Sequence, residues 1–564
     1  MAFDGFINKS IINELKTCLL GGKIVKIHQP NKDELLFNIY SNSKKFDLDI
    51  SINSSNCRIN LTSDKKINPP TPTSFCMLLR KHLVGAKIIN IDTIGFDRII
   101  EITFETFNEL NDVINKKLII ELMGKHSNVI LLNDSNIIID SIRHIVSNRN
   151  ILPANPYSFL DSDKLNINEI TLEKFKEIIN NSSDTFVNTI SSSFYGFSKT
   201  LIYYIINILN IDSNNILYTD ISKFYNYVLE LIRKINLLEV SCIEFSFNNK
   251  KDYVLIPCEN ASELKINYFV DTYYSSKEKN EYFENYRNNI LRIILSILRK
   301  YEKRLININS KLEECNQMDK YKLYGELITA NLYKLDPSKN VENVILENYY
   351  DNNNPVNIPL DIKYSVSTNA KRYFKKYSKL KNTLEIVSKQ KYETKQELNY
   401  LESIIYSLNS TTSINEIDEI YLEIQENVLD KKIINKKNIT KKIDNYSPII
   451  INIDGYTILI GKNNKQNDLL TFKLSSKNDL WFHAKDIHGS HVVLKLDHDH
   501  SISDNIIEKC ASIAAYYSKA KASTKVLVEY TFIKNIKKPK NSKPGFVTFS
   551  NYKTVLVRPY NYET

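Results

Sequence analysis

The chain has 564 residues, and its 75 lysines and arginines exceed its 65 aspartates and glutamates by a formal net charge of +10. A chain of this length is too long for one hydrophobic core, so several domains are predicted. The basic excess favours a polyanionic partner but carries no information about fold. The seven cysteines are scattered and never spaced Cys-x-x-Cys, which argues against a disulfide framework or a thiolate zinc site and for a reducing compartment.

Export and membrane insertion are not expected. The segment MAFDGFINKSIINELK has no charged region followed by an apolar stretch, so it does not resemble a signal peptide. The apolar run ILRIILSIL is interrupted by Arg292 and Ser296 and is too short to span a bilayer. We therefore expect a cytoplasmic protein without a membrane partner.

Residues 1–170 are predicted to form a β-rich domain with interspersed helices. Short strand-like runs bounded by Asn, Asp and Gly support this prediction. These runs are KIVKIHQP, ELLFNIY, RIIEITFE, LIIELMG and NVILLN. Residues 171–240 are predicted to be helical, with Gly196 preceding a helix in FYGFSKTLIYYIINIL. Residues 241–278 are a connecting segment with a strand in SFNNKKDYVLIP.

Residues 279–435 are predicted to form a long antiparallel coiled-coil arm with a middle insertion. Two segments carry an apolar stripe, the first at steps of three or four and the second in strict three-four alternation, which is typical of a helix that buries a narrow seam against a partner. The stripes are Phe283, Tyr286, Ile290, Ile294, Ile297, Tyr301, Leu305, Ile308 and Leu312, and then Tyr377, Leu380, Leu384, Val387, Lys391, Thr394, Leu398, Leu401, Ile405 and Leu408. Each helix would be about 50–75 Å long. The segment DNNNPVNIPLD between them is not expected to be helical throughout. Two long core helices of a globular domain are the alternative.

An α/β fold is predicted for the last domain, residues 446–564. It follows a basic linker, KKIINKKNITKK, that contains Lys431, Lys432, Lys436, Lys437, Lys441 and Lys442. The strands are expected in INIDGYTILIG, HVVLKL, KVLVEYTFI, GFVTF and TVLVRP, and a helix around IIEKCASIAAYYSKA.

This domain contains the candidate RNA-contacting residues. In NDLWFHAKDIHGSHVVL, aromatic faces suited to stacking on bases lie beside cations suited to phosphate. The candidates there are Trp481, His483, Lys485 and His488, and the alternative for Trp481 is a place in the core. A second group, Lys534, Lys537, Lys538, Lys540 and Lys543, forms a basic loop. A metal site formed by His483, His488, His491, His498 and His500 is the less favoured interpretation, because metal binding needs converging, supported ligands.

Enzymatic chemistry is not predicted. The sequence has no Walker loop, GxGxxG, GxSxG or HExxH motif, so the common nucleotide-binding and hydrolase signatures are absent. We expect no cofactor and no metal.

Several blocks of the sequence, in order, resemble the NFACT family. MAFDG, GFDR at 95–98, ELMGKHSNVILLN at 121–133 and ILPANPY at 151–157 are similar to its N-terminal domain. GELITANLY at 325–333 and STNAKRYFKKYSKLK at 367–381 are similar to its coiled-coil arm, and NDLWFHAKDIHGSHVVL is similar to its C-terminal NFACT-R domain. The family usually has glycine at the position of Ala154. The implied fold class is multidomain α+β: a β-rich, glycosylase-like N-terminal domain, a helix-hairpin-helix segment, the arm and the NFACT-R domain.

The resemblance implies a ribosome quality-control factor. Such proteins bind a large ribosomal subunit that carries a stalled peptidyl-tRNA, recruit alanyl-tRNA, and promote template-independent alanine addition to the nascent chain. The implied partners are ribosomal RNA, stalk-base proteins, tRNA and a small RNA-binding accessory factor. The resemblance assigns tRNA binding to Asp97 and Arg98, and Lys125 and His126 are further RNA-contacting candidates. From the residues alone, a local salt bridge or a turn-capping Asp97 is the alternative.

Two other functions remain as alternatives. Bacterial members of the family are also described as fibronectin-binding proteins, and a surface adhesin would need export. The glycosylase-like fold raises the third function, DNA repair. Those glycosylases use an N-terminal proline amine as nucleophile, whereas Ala2, Phe3 and Asp4 follow Met1 here, so we expect no glycosylase activity.

Overall fold

The structure is a computed structural model that describes residues 3–108, 110–146, 149–159, 163–212, 217–247, 250–258, 264–335, 341–429, 448–496 and 502–562. The chain divides into two compact units, residues 1–280 and 281–564. None of the seven cysteines, all of which are described, forms a disulfide. Within the described ranges, no helix is both long and apolar enough to cross a bilayer.

An antiparallel sheet forms the centre of the first unit. Its strands are β1 (Lys23–Asn31), β2 (Glu34–Ser41), β3 (Lys44–Ser51), β4 (Arg58–Leu61), β5 (Lys87–Thr93), β6 (Ile99–Phe107), β7 (Val113–Glu121), β8 (Asn128–Leu132) and β9 (Ile138–Ser141). Their order is β4-β3-β2-β1-β5-β6-β7-β8-β9. Each of the five predicted strands of this region overlaps an observed strand, because β-branched residues and turn residues mark strands and their ends locally.

Helices cover this sheet and continue beyond it. α1 (Gly5–Leu19) and α2 (Ser74–Leu83) pack on the sheet, and Phe6, Ile7 and Ile11 of α1 are completely buried in the core. The predicted helical segment contains α3 (Leu172–Asn180), α4 (Phe186–Ser193), α5 (Lys199–Ile208) and α6 (Tyr218–Asn236). β10 (Val240–Phe247) and β11 (Lys250–Pro257) form a hairpin. The long helix α7 (Lys265–Cys315) begins earlier than the periodicity predicted.

Ala154 has a left-handed backbone conformation, with φ of +67°. This conformation is the one that glycine adopts without steric cost. The departure from the family pattern at this position therefore places a Cβ where the backbone favours glycine.

The arm, defined here as residues 281–429, follows in the second unit. It contains the rest of α7, α8 (Met318–Ala330), the hairpin β12 (Asn343–Asn348) and β13 (Asn354–Pro359), α9 (Val366–Asn409) and α10 (Ile414–Asn427). The predicted non-helical segment between the two long helices is this hairpin.

The two predicted stripes are confirmed as the buried sides of α7 and α9. Every stripe residue in both helices is buried or half-buried, including Lys391 and Thr394. Ile290 and Ile294 of α7 share a cluster with Leu401 and Ile404 near the end of α9. α8, which follows α7, packs instead on the start of α9. The two long helices therefore run in opposite directions.

The last domain contains an antiparallel sheet, which corrects the α/β prediction to α+β. Its strands are β14 (Ile449–Ile453), β15 (Tyr456–Ile460), β16 (Leu480–Ala484), β17 (Val492–Leu494), β18 (Val526–Phe532) and β21 (Lys553–Val557), in the order β14-β15-β17-β16-β18-β21. All of the described pairings are antiparallel. The helices α11 (Asn464–Leu469) and α12 (Asp504–Tyr516) and the short pair β19 (Ile536–Lys537) and β20 (Thr548–Phe549) complete the domain.

The segment INIDGYTILIG is a hairpin rather than one strand. Asp454 and Gly455 both have positive φ, 51° and 83°, and connect β14 to β15. Asp-Gly is the dipeptide that a two-residue hairpin turn favours. The local signal was therefore present in the sequence.

Candidate nucleic-acid interface

Asp97 and Arg98 lie in a tight turn immediately before β6. The Asp97 N–H donates to the Ile94 carbonyl at 3.0 Å, and the Arg98 N–H donates to the Asp97 carboxylate at 2.7 Å. Phe96 is buried and its ring packs 4.9 Å from that of Phe6, whereas Asp97 and Arg98 are half-exposed. The Asp97 carboxylate therefore caps the turn, which is the local alternative, and both side chains also have accessible surface.

The start of α1 packs directly against this turn. A Cβ at Gly5 would lie 1.8 Å from the Phe96 carbonyl oxygen, so only glycine permits this close approach. The Asn8 side-chain amide donates to the Asp97 carbonyl at 3.0 Å. The turn is thus held by contacts with α1, and its two charged side chains are half-exposed.

Asp4 is a supporting residue that the sequence analysis did not single out. Its carboxylate accepts hydrogen bonds from the N–H groups of Phe6 and Ile7, both at 3.1 Å, and from the Ser198 hydroxyl at 2.7 Å. Burial raises the pKa of Asp4 to about 6, although these hydrogen bonds and the Arg98 charge oppose the rise. The signal for this residue was present: an Asp directly before the apolar periodicity of α1 is an N-cap pattern.

Lys164 adds a cation near the Asp97–Arg98 turn. Its ammonium donates to the Ser191 carbonyl at 2.9 Å. Its pKa is lowered by burial and by the charge of Arg98, while Asp97 opposes this shift. No local sequence signal distinguishes Lys164 from other lysines, because only the fold brings it to this turn.

Lys125 and His126 lie at the same end of the sheet as the turn. Ile99 pairs with Glu121 in the register of β6 and β7, so residues before Ile99 and residues after Glu121 leave the sheet together. The Leu122 N–H donates to the Arg98 carbonyl at 2.9 Å. Lys125 and His126 are both exposed. The structure therefore groups four predicted residues, Asp97, Arg98, Lys125 and His126, at one end of the paired strands β6 and β7.

Trp481 is a core residue, so the prediction that its ring is open for stacking on RNA is wrong. Its side chain is completely buried and packs with Leu459, Leu470, Val493 and Ile536. The alternation along β16 decides this, since Trp481 faces the side of the sheet covered by the β19–β20 region. The core alternative holds.

The histidines of this region occupy different environments. His491 is buried and its Nδ1 is 2.8 Å from the Thr471 hydroxyl. Burial lowers the pKa of His483 to about 4, so its imidazole is neutral at neutral pH. His488 is half-exposed and lies 3.2 Å from the Glu402 carboxylate. Among the described residues, no three His, Cys, Asp or Glu side chains converge as a metal site would require, and His498 and His500 lie outside them.

The predicted basic residues of this domain differ in their ion pairs and in their exposure to solvent. Lys538 forms an ion pair with Asp468, and Lys543 lies 3.0 Å from Glu397. Lys485 is half-buried and lies 3.7 Å from Glu529. Four of these lysines are exposed: Lys534, Lys537, Lys538 and Lys540. The basic linker, residues 431–442, lies outside the described residues.

Comparisons with known proteins agree over nearly the whole chain. The family described as NFACT N-terminal and middle domains matches residues 4–442, and the NFACT protein RNA binding domain matches residues 446–551. The chain is 32% identical to the Rqc2 homolog RqcH of Bacillus subtilis, over 99% of this chain and 98% of that protein. It is 36% identical to the Rqc2 homolog RqcH of Streptococcus pneumoniae serotype 2, with the same coverage.

A solved structure is also similar in sequence. The C-terminal part of the fibronectin/fibrinogen-binding protein from Streptococcus suis is 34% identical and covers 49% of this chain and 96% of that one. Its TM-score of 0.39 supports no conclusion about the fold. The two domain matches, together with relatives that align from end to end, show that the chain belongs to the NFACT family.

Proposed function

We propose that this protein is a ribosome quality-control factor. It binds a large ribosomal subunit that carries a stalled peptidyl-tRNA, recruits alanyl-tRNA and promotes template-independent addition of alanine to the nascent chain. In this proposal the ribosomal peptidyl-transferase centre makes the bonds, and the protein holds the substrates in the cytoplasm.

The observation that carries the proposal is the end-to-end similarity to RqcH proteins, which includes an RNA binding domain. One end of strands β6 and β7 in the first unit adds a site of suitable chemistry. Asp97 and Arg98 are half-exposed in a tight turn, with Lys164 near them and Lys125 at the same end of the strands. This set combines one hydrogen-bond acceptor with several cations.

We assign tRNA binding to Asp97 and Arg98. A guanidinium grips a phosphate or a base edge through two parallel hydrogen bonds, and a carboxylate accepts from an exocyclic amine or a ribose hydroxyl. Lys125 and Lys164 neutralise phosphates, which positions the RNA without selecting its sequence. The contacts between the turn and α1 limit the entropy lost on binding.

The test is the double variant Asp97→Ala/Arg98→Ala in the full chain. We expect it to fold and to sediment with large subunits, while co-purifying tRNA and alanine tailing are lost. The measurement is the number of tRNA molecules per pulled-down subunit. The single variant Arg98→Lys should show only part of the wild-type tRNA occupancy, because an ammonium lacks the planar fork of the guanidinium.

The matched control is Glu230→Ala/Arg233→Ala, which removes an exposed acid–arginine pair from α6 of the same unit. It should leave tRNA occupancy unchanged. Normal tRNA occupancy in the Asp97/Arg98 variant would contradict the assignment of tRNA binding. Loss of subunit binding together with tRNA would show that the pair is structural.

The wider proposal is tested on the endogenous protein by sedimentation. We expect it to migrate with large ribosomal subunits. Display on the cell surface without association with subunits would instead support the adhesin alternative.

A further inference from the structure

A cavity of about 790 Å³, with polar and apolar lining in nearly equal parts, opens within the second unit, between α9 and the RNA binding domain. Aromatic side chains from both parts line it, including Tyr392 and Tyr400 of α9 and Phe546 of the basic loop. Tyr392 is 64% exposed and Phe546 is 43% exposed, so both rings have accessible faces. The volume falls within the range of cavities that enclose small organic groups.

The cavity is lined by carboxylates as well as by the cations Lys540 and Lys543. The carboxylates of Glu397, Asp486 and Glu529 line it. Glu397 lies 3.0 Å from Lys543 and Glu529 lies 3.7 Å from Lys485, so cations offset two of these charges. Asp486 is exposed, and its carboxylate would attract an exocyclic amino group of a base.

Two side chains that line the cavity, His483 and Trp481, also suit a neutral, planar ligand. The imidazole of His483, which lines the cavity, is neutral because burial lowers its pKa to about 4. The indole N–H of Trp481, in the same wall, is buried and has no hydrogen-bond partner. A buried donor without a partner is uncommon in native proteins and is often explained by a ligand or a water.

Lys540 supplies the complementary cation. Lys540 lines the cavity and is exposed, whereas Lys543, which also lines it, is half-buried and lies 3.0 Å from Glu397. A cation at the opening with aromatic rings and carboxylates inside matches a nucleotide whose base enters first and whose phosphate stays outside.

We propose that this cavity receives one unstacked base of single-stranded RNA that bears an exocyclic amino group, with the ring against Tyr392 and Phe546 and the amino group donating to a carboxylate such as Asp486. Lys540 contacts the adjoining phosphate. The proposal rests on the proposed function, since the bound strand belongs to tRNA or ribosomal RNA.

The test measures binding of fluorescently labelled cytidine and uridine octamers to the full chain by anisotropy. Cytosine and uracil differ in an amino group against a carbonyl, so wild-type protein should bind the cytidine octamer more tightly. Tyr392→Ala and Phe546→Ala should each weaken cytidine-octamer affinity about fivefold or more, because each removes a stacking surface. Asp486→Asn should bring the two affinities together, and asparagine tolerates the positive φ of 53° at this position.

The matched control is Tyr282→Ala, which removes a tyrosine of similar exposure (60%) from the arm, outside the residues that line the cavity. It should bind both octamers as wild type does. Lys540→Ala should flatten the salt dependence for both octamers without changing their ratio.

Equal affinity of wild type for the two octamers, or wild-type affinity in the Tyr392 and Phe546 variants, would overturn the cavity proposal. In either case, continued binding to large subunits would leave the proposed function intact. Failure of the wild-type protein to bind large subunits would remove the proposed function itself, whatever the octamers show.

Discussion

Asp4 is almost completely buried, and its carboxylate joins the N-termini of two helices. It caps α1 through Phe6 and Ile7 and meets Ser198, the N-cap of α5, which is 194 residues away in the chain. A carboxylate is favourable at a helix N-terminus, but burial opposes its charge. The balance at this residue favours the protonated form, so its pKa lies at about 6, above the ordinary value of 3.8.

This raised pKa predicts a pH dependence of stability. The folded chain holds the Asp4 proton more tightly than the unfolded chain does. The resulting stabilisation is therefore complete below about pH 4 and is lost as the pH rises through about 6. Between pH 5 and pH 7.5 the loss amounts to roughly 1 kcal/mol. Asp4→Asn keeps the cap and removes the titration, so it should flatten this part of the profile.

The measurement is urea unfolding of the full chain at pH 5 and pH 7.5. Pulse-labelling hydrogen exchange on the α1 peptide then reports the unfolding of this helix. Ser63→Ala, which removes an exposed hydroxyl bonded to Asp271, serves as a control and should keep the wild-type profile. An equally steep loss in Asp4→Asn would assign the pH dependence to other groups.

At the scale of elements, α10 joins the arm to the RNA binding domain through buried amide–carboxylate contacts. Glu419 accepts hydrogen bonds from the side-chain amides of Asn463 at 2.8 Å and Gln466 at 2.7 Å. Glu423 accepts from Asn464 at 3.0 Å and from the Tyr400 hydroxyl at 2.8 Å. Burial raises the pKa of Glu423 to about 7.

Glu419→Ala should destabilise this junction. It leaves two buried amides without their acceptor, and each lost partner costs about 1–3 kcal/mol. Glu426→Ala on the same helix removes the ion pair between the exposed Glu426 and the half-buried Lys465 and should cost no more than about 1 kcal/mol. Because Trp481 is the single tryptophan and lies in this domain, its fluorescence during urea unfolding measures both effects. Equal midpoints for the two variants would show that the Glu419 contacts do not stabilise the domain.

At the scale of the whole molecule, the antiparallel pairing of α7 and α9 determines the length of the arm. Ile294 of α7 and Leu401 of α9 share a cluster, so each further heptad on α7 faces an earlier heptad on α9. The seam is continuous, since its stripe residues are buried or half-buried along both helices. Under the proposed function, we predict that the length of the arm sets the distance between the proposed tRNA-binding residues and a proposed contact at the base of the ribosomal stalk.

Deleting residues 308–314 of α7 together with residues 381–387 of α9 tests this prediction. One heptad leaves each helix, which keeps the seam in register and shortens the arm by roughly 10 Å. We expect a folded protein with reduced binding to large subunits and reduced alanine tailing, measured by co-sedimentation and by tailing assays. Deleting the α7 heptad alone misaligns the seam and should destabilise the arm. Normal tailing by the matched deletion would mean that the arm is only a spacer.

Sequence by itself determined the elements and the family. Strand runs such as ELLFNIY and the stripes of α7 and α9 were predictable because side-chain periodicity is a local property that burial of one face imposes. The position of Asp97 and Arg98 directly before β6 was also predictable, since Gly95 marks the turn.

Tertiary structure decided which of the candidate side chains are buried and which are paired with other side chains. Trp481 is buried, and Lys538 and Lys543 are paired with Asp468 and Glu397, which are distant in the chain. Lys164 joins the Asp97–Arg98 turn through contacts between separate segments. The physical reason is that residue type and spacing fix what a side chain is able to bind. Its burial and its partners depend instead on packing between segments, which no local pattern records.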